Sequence, residues 1–227
     1  MKKLLYVVAL LLGSVLLIGK VEAKITMTGL KEAASDAVSY FDNKENFTSN
    51  GVFNEQSFNQ YQPYVNNIKN ADLSNYSESD DKVNVYIFRG ATCWHCLDEI
   101  TFFTTKASEY GKYFNIKTYE VWNNTDNSKL MSTVAKKLGK SADGVPFTVI
   151  GKETYSGFSE TYGEQMLNAI QEQYKTSDRY DIKNDINMED GTLINGKEEN
   201  NNTALIIVLI VIILFAGIAT IYYVSKK

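Results

Sequence analysis

The chain has almost no sulfur nucleophiles and almost no imidazole: two cysteines and one histidine in 227 residues. A structural zinc site takes four ligands, usually cysteine and histidine. Cys93, His95 and Cys96 are the only candidates, and they are too crowded to complete a tetrahedron without carboxylates, so no metal is expected. A disulfide framework is excluded too. The one bridge that two cysteines allow would close a loop of four residues, which removes little entropy from the unfolded chain. Proline is scarce, with Pro63 and Pro146 alone, so each is expected to have a positional reason. Basic charge is short where it would matter. Lys2, Lys3 and Lys20 with Glu22 lie in residues 1–23, and Lys226 and Lys227 lie at the end. This leaves 18 basic and 26 acidic side chains in residues 24–203. An acidic middle without a basic stripe argues against nucleic acid and against electrostatic docking on anionic lipid. Charge of either sign is absent from residues 4–18 and 204–224.

Those two uncharged blocks set the expected topology. Lys2 and Lys3 precede an apolar stretch too short to span a bilayer core of about 30 Å as a helix, and Val21-Glu22-Ala23 follows. Residues 1–23 therefore read as a signal peptide, with an uncleaved signal anchor as the alternative. Residues 204–224 are long enough for a transmembrane helix, with Tyr222 and Tyr223 at interfacial depth. The positive-inside rule puts Lys226 and Lys227, in a short tail of residues 225–227, in the cytoplasm. The basic N-terminus gives the same orientation. The expectation is a single-pass protein of the cell membrane, with everything between the two blocks outside the cytoplasm.

Between them, residues 24–79 read as an N-terminal helical extension. Leu30, Ala33, Ala34, Ala37, Val38 and Phe41 have helical spacing, and a second helix runs from Phe58 to Ile68, interrupted or bent near Pro63. From residue 80 to 174 the pattern changes to alternating strands and helices in the order β-α-β-α-β-β-α. Strands are expected near 83–89, 115–122, 147–150 and 153–158, and helices near 97–110, 125–138 and 159–174. That order requires a sheet with a parallel portion and crossover helices. Residues 175–203 are polar and aperiodic and read as a linker, about 30 Å end to end if flexible.

Every thiol and imidazole of the chain falls within Cys93-Trp94-His95-Cys96, between the first of these strands and its helix. A C-x-x-C at a strand-to-helix junction is the signature of a dithiol redox site. The attacking species is a thiolate, so the site must favour charge on one sulfur. Cys93 at the helix start is favoured by the backbone N–H groups there, and His95 can add positive charge. Cys93 is the expected nucleophile and Cys96 the resolving thiol. Asp98 and Glu99 oppose a thiolate, modestly where they point to water.

The second informative stretch is Gly144-Val145-Pro146-Phe147-Thr148. A C-x-x-C after a strand, followed by a Val-Pro entering a later strand, resembles the thioredoxin-fold thiol–disulfide oxidoreductases. The resemblance covers residues 80–174. It implies a three-layer α/β fold with a mixed sheet, carrying here an N-terminal helical extension and a C-terminal transmembrane helix. It implies that Pro146 is cis and lies against the dithiol and that Val145 and Pro146 form a substrate-docking loop; Trp94, between the cysteines, is a further expected substrate-binding residue. The histidine before Cys96 is similar to that of the periplasmic disulfide oxidants and protein disulfide isomerases. Two departures stand out. Trp94 matches neither that group nor thioredoxin, and Ile87 occupies the position where many members keep a buried acid.

The function this implies is oxidation or isomerisation of protein disulfides outside the cytoplasm through Cys93 and Cys96. Protein thiols and disulfides would be the substrates, with no cofactor, and a separate membrane or extracytoplasmic redox partner would recharge the pair. The alternatives are a thiol reductase fed by a membrane electron carrier, and a non-enzymatic adaptor that binds a membrane partner.

Overall fold

The computed structural model describes residues 24–194. The expected signal peptide, the last part of the expected linker and the apolar block 204–224 lie outside the described residues. Among the described residues no helix is long and apolar enough to cross a membrane.

The chain opens with a two-residue strand β1 (Thr28–Gly29) and helix α1 (Leu30–Phe41). Leu30, Ala33, Ala34, Ala37 and Phe41 recur at three- and four-residue spacing, so one face of α1 is apolar and buried. A small hairpin of β2 (Thr48–Ser49) and β3 (Val52–Phe53) follows, turning through Asn50 and Gly51, both at positive φ. Two short helices, α2 (Glu55–Asn59) and α3 (Gln62–Asn70), occupy the region expected as a helix interrupted or bent near Pro63, and the interruption is what is found. Pro63 sits in the first turn of α3, where its missing N–H leaves no bond unmade, so it starts the second helix rather than bending a single one.

The remaining elements come in the expected order: β4 (Val83–Arg89), α4 (Trp94–Tyr110), β5 (Phe114–Glu120), α5 (Thr125–Lys137), β6 (Phe147–Ile150), β7 (Glu153–Ser156) and α6 (Glu160–Lys175). Asn124 caps α5 through its Oδ1, and Ser159 caps α6, each accepting from first-turn N–H groups. The five-stranded sheet has the order β1-β5-β4-β6-β7. Only β4 and β5 run parallel, and the other neighbours are antiparallel, so the fold is mixed α/β with a mixed sheet.

Strand pleating assigns side chains to two cores. Val83, Val85 and Ile87 of β4 join α1, α3, α4 and α6 on one face. Tyr86 and Phe88 join Tyr119, Val121 and the apolar face of α5 on the other. Arg89 ends β4 on the first face. It is buried, donates to Thr118 Oγ1 at 3.2 Å and pairs with Asp36 of α1 at 2.7 Å, which ties the N-terminal helix to the sheet.

The stretch after α6 differs from the expected linker. Arg179 donates to the carbonyls of Asp81 and Lys82, and Asp181 accepts from Asn84 Nδ2 and Tyr86 Oη, both at 2.7 Å. Ile182 and Ile186 are buried in the second core beside α5. Two isoleucines four residues apart in an acidic stretch are too few to register as a pattern, yet they cover the sheet face that α5 leaves open.

Because α1 shares its core with β4, truncating Leu30 should unfold the whole domain rather than free one helix. Leu30→Ala is expected to cost about 2–5 kcal/mol in urea denaturation, with fluorescence and circular dichroism following one transition. Two separated transitions would place α1 outside the common core.

Candidate functional site

Strand β4 delivers the chain to the Cys93-Trp94-His95-Cys96 turn, and the loop between is fixed from below. Glu120 accepts the Ala91 N–H at 3.2 Å and the N–H groups of Trp122 and Asn123 at 2.9 Å. Trp122 lies so close over Gly90 that any Cβ there would meet the indole at 2.4 Å, which explains a glycine at this position. Cys93 caps α4. Its Sγ accepts the Cys96 N–H at 3.2 Å, and its carbonyl accepts the Leu97 N–H at 3.0 Å. The helix thus begins three residues before the apolar pattern does, because the cap is the cysteine itself.

Cys93 and Cys96 form a disulfide with their Cα atoms 5.2 Å apart. Cys93 is 8% exposed and Cys96 2%, so of the two sulfurs Cys93 is the one nearer solvent. Cys93 Sγ thus sits at the N-terminus of α4 and takes one of its first-turn N–H groups, a setting that favours a thiolate once the bond is opened.

The Val145–Pro146 peptide bond is cis, and the Val145 carbonyl oxygen lies 3.7 Å from Cys93 Sγ. Pro146 is buried, and its carbonyl accepts the Gly157 N–H at 2.8 Å, so the loop is anchored to β7. Val145 and Pro146, brought together with Cys93 across 52 residues, thus form one wall of the site. Trp94 is 47% exposed and its ring lies on that of His95, with centroids 3.5 Å apart. Beyond Trp94, Gln60, Tyr61 and Tyr64 complete an open cleft of about 320 Å³. His95 is half-buried, and its Nδ1 has no hydrogen-bond partner among the described residues.

The acids next to the motif do not both point to water. Asp98 is half-buried, and burial raises its pKa, opposed by His95 and assisted by Glu160. Glu99 is wholly buried. Its Oε1 accepts from Thr148 Oγ1 at 2.6 Å, and its Oε2 has no partner among the described residues. Burial pushes the Glu99 carboxyl up to about 8, against the Thr148 hydrogen bond and with the charge of Asp98 adding to the rise. Near neutral pH it is mostly an uncharged acid, so it does not repel a Cys93 thiolate. Sequence reasoning missed this residue as part of the site. The available signal was position: Cys96, Glu99, Ile100, Phe103 and Ala107 form one stripe at helical spacing, and all are buried.

This arrangement is compatible with a thioredoxin-like α/β fold. No protein-family model, no curated protein and no solved structure matches the chain.

The Glu99 proton has a consequence for stability. The folded state holds it up to about pH 8, whereas the unfolded chain releases it near 4.5. Its stabilising contribution is therefore complete below pH 4.5 and falls as the pH rises to 8. The loss has an upper bound on the order of 5 kcal/mol. Urea titrations from pH 5 to 8 should show this decline, and Glu99→Gln, which carries no titrating proton, should flatten it.

Proposed function

We propose that this chain is a membrane-tethered, thioredoxin-like thiol–disulfide oxidoreductase that works outside the cytoplasm on protein cysteines. The observation that carries the reading is the Cys93–Cys96 disulfide at the N-terminus of α4, with the Val145 carbonyl 3.7 Å from Cys93 Sγ. A bridge over four residues adds little stability, so its use is best sought in opening and closing. The uncharged blocks 4–18 and 204–224, with Lys2 and Lys3 before the first and Lys226 and Lys227 after the second, support the tether and the orientation.

In the reduced state Cys93, as thiolate, attacks a substrate disulfide. One substrate sulfur leaves with the electron pair and the other stays joined to Cys93. Cys96 then attacks Cys93 Sγ, the substrate departs as a second thiol, and the pair is left oxidised. Run in reverse, a substrate thiolate attacks Cys93 Sγ and Cys96 leaves with the electron pair; a second substrate thiolate then attacks the substrate sulfur of this mixed disulfide, the Cys93 thiolate leaves, and the substrate departs with a new disulfide. Among the described residues, the N–H and C=O of Val145 pair with no other backbone group. They are suited to hold an extended substrate segment beside Cys93, in the manner of strand addition. Trp94 and the aromatic cleft next to it supply apolar contact for the same segment.

His95 favours the oxidising or isomerising direction. A positive charge beside the helix start stabilises the reduced, thiolate form, which makes the disulfide the stronger oxidant. A separate redox partner outside the cytoplasm or in the membrane recharges the pair, because the chain has no other thiol.

Cys96→Ser should arrest the reaction at the mixed disulfide. Adducts that vanish on reduction are expected on non-reducing gels, and none with Cys93→Ala. If Cys96→Ser forms no adduct with any protein and Cys93→Ala keeps full function, the domain is an adaptor and not an enzyme. Equilibration with glutathione decides direction. A midpoint of about −120 to −180 mV fits an oxidant or isomerase, whereas one of about −270 mV fits a reductase fed by a membrane electron carrier.

A further inference from the structure

Cys96 has a chemical problem that the turn itself does not solve. It is 2% exposed, and its sulfur must lose a proton to become a nucleophile. Burial among apolar groups disfavours that ionisation. The helix N-terminus serves Cys93, whose Sγ already takes the Cys96 N–H. Ile87, on the strand behind, is apolar and has no proton to exchange.

Glu99 is placed to supply what is missing. It lies three residues after Cys96 on the same buried stripe of α4. Such neighbours have their Cβ atoms about 5–6 Å apart. Helical side chains lean over the preceding turn, so Glu99 covers the turn that holds Cys96. Its Oε1 is held by Thr148 of β6, while Oε2 has no partner among the described residues. The Cα partner of Thr148 in the sheet is Ile87, so the carboxyl meets the sheet at the register of that residue, reaching it from the helix side.

We propose that Glu99 is the proton acceptor for the Cys96 thiol when Cys96 resolves a mixed disulfide, and the donor when the Cys93–Cys96 bond is opened. The assignment rests on the redox reading above. With Cys93 joined to a substrate sulfur, Cys96 passes its proton to the Glu99 carboxylate, directly or through one water. The Cys96 thiolate attacks Cys93 Sγ and the Cys93–Cys96 bond forms. The bond from Cys93 to the substrate breaks, and the substrate sulfur leaves with the electron pair and takes a proton from solvent. Glu99 then releases its proton to water. In the opposite direction a substrate thiolate attacks Cys93 Sγ, Cys96 leaves with the electron pair, and protonated Glu99 supplies the proton.

The charged and titratable groups around Glu99 agree with such a role. Asp98 beside it favours the protonated form, and burial does so more strongly. His95 and Glu160 of α6 act on Asp98, as Asp98 acts on Tyr64 of α3. Arg89, on the sheet face that α4 covers, is engaged by Asp36 of α1. Among the described residues Glu99 makes no ion pair, so no cation fixes it in the ionised state.

The full-length chain in detergent, reduced and then exposed to oxidised glutathione, provides the test. Samples are acid-quenched and alkylated, and mass spectrometry counts the Cys93–glutathione adduct and the closed disulfide. In the wild type, the rate of closure should rise with an inflection near pH 8. Glu99→Gln should slow closure at pH 8 by about tenfold or more and lose that inflection, while Glu99→Asp retains part of both. Loading of Cys93, measured in a Cys96→Ser background, should not change with Glu99→Gln. Thr148→Val keeps the acid but removes the bond that favours its ionised form, so the inflection should move to higher pH. This variant carries the test if Glu99→Gln does not fold. Normal closure with an unchanged pH profile in Glu99→Gln, or an unmoved inflection in Thr148→Val, would overturn the role of Glu99 while leaving the redox reading intact. A wild type that forms neither adduct nor closed disulfide would overturn both.

Discussion

Strand β4 is bonded along both edges, parallel to β5 and antiparallel to β6, and side chains cover both of its faces. A strand with no free edge and no wet face has one register, because a slip of one residue would exchange the side chains of the two cores. Everything at the site takes its position from that constraint. The end of β4 sets where the Cys93 turn begins. Its pairing with β6 brings Thr148 opposite Ile87 and the Val145–Pro146 loop up to Cys93. Its pairing with β5 places Glu120 under the loop that leads to the turn.

The two sulfurs are treated differently by the same helix. Cys93 stands at its cap, where its Sγ takes the Cys96 N–H, and keeps a residual exposure. Cys96 lies one turn in, with apolar neighbours and a buried carboxyl on its face. Such a difference suits an asymmetric pair in which one sulfur meets partners and the other works only on its neighbour. Neutral Glu99 also leaves the helix start electrostatically undisturbed, which an ionised carboxylate in that place would not.

Much of this was legible along the chain. The β-α-β-α-β-β-α order rests on local periods, the meeting of the dithiol with Val145-Pro146 was what the resemblance carried by those two motifs implied, and the structure has both. What escaped reading had weak local signals. The two-residue strand β1 exists only because β5 offers an edge. Ile182 and Ile186 are two apolar residues in an acidic stretch, and only the open face beside α5 makes them core. Pro63 pointed to a break, but whether it bent one helix or began another depended on the backbone around it.

Glu99 marks the boundary most sharply. Sequence alone determined that it lies on α4, one turn past Cys96 and in register with the apolar stripe, because helical periodicity is local. It could not determine that the carboxyl would be dry. Burial requires α1, α3 and α6 to pack around α4 and β6 to present Thr148 from 49 residues away. The charge state of a carboxyl is set by its surroundings rather than by its neighbours in sequence. The residues of the dithiol were therefore fixed by the chain, and the environment in which they titrate was decided only by the tertiary fold.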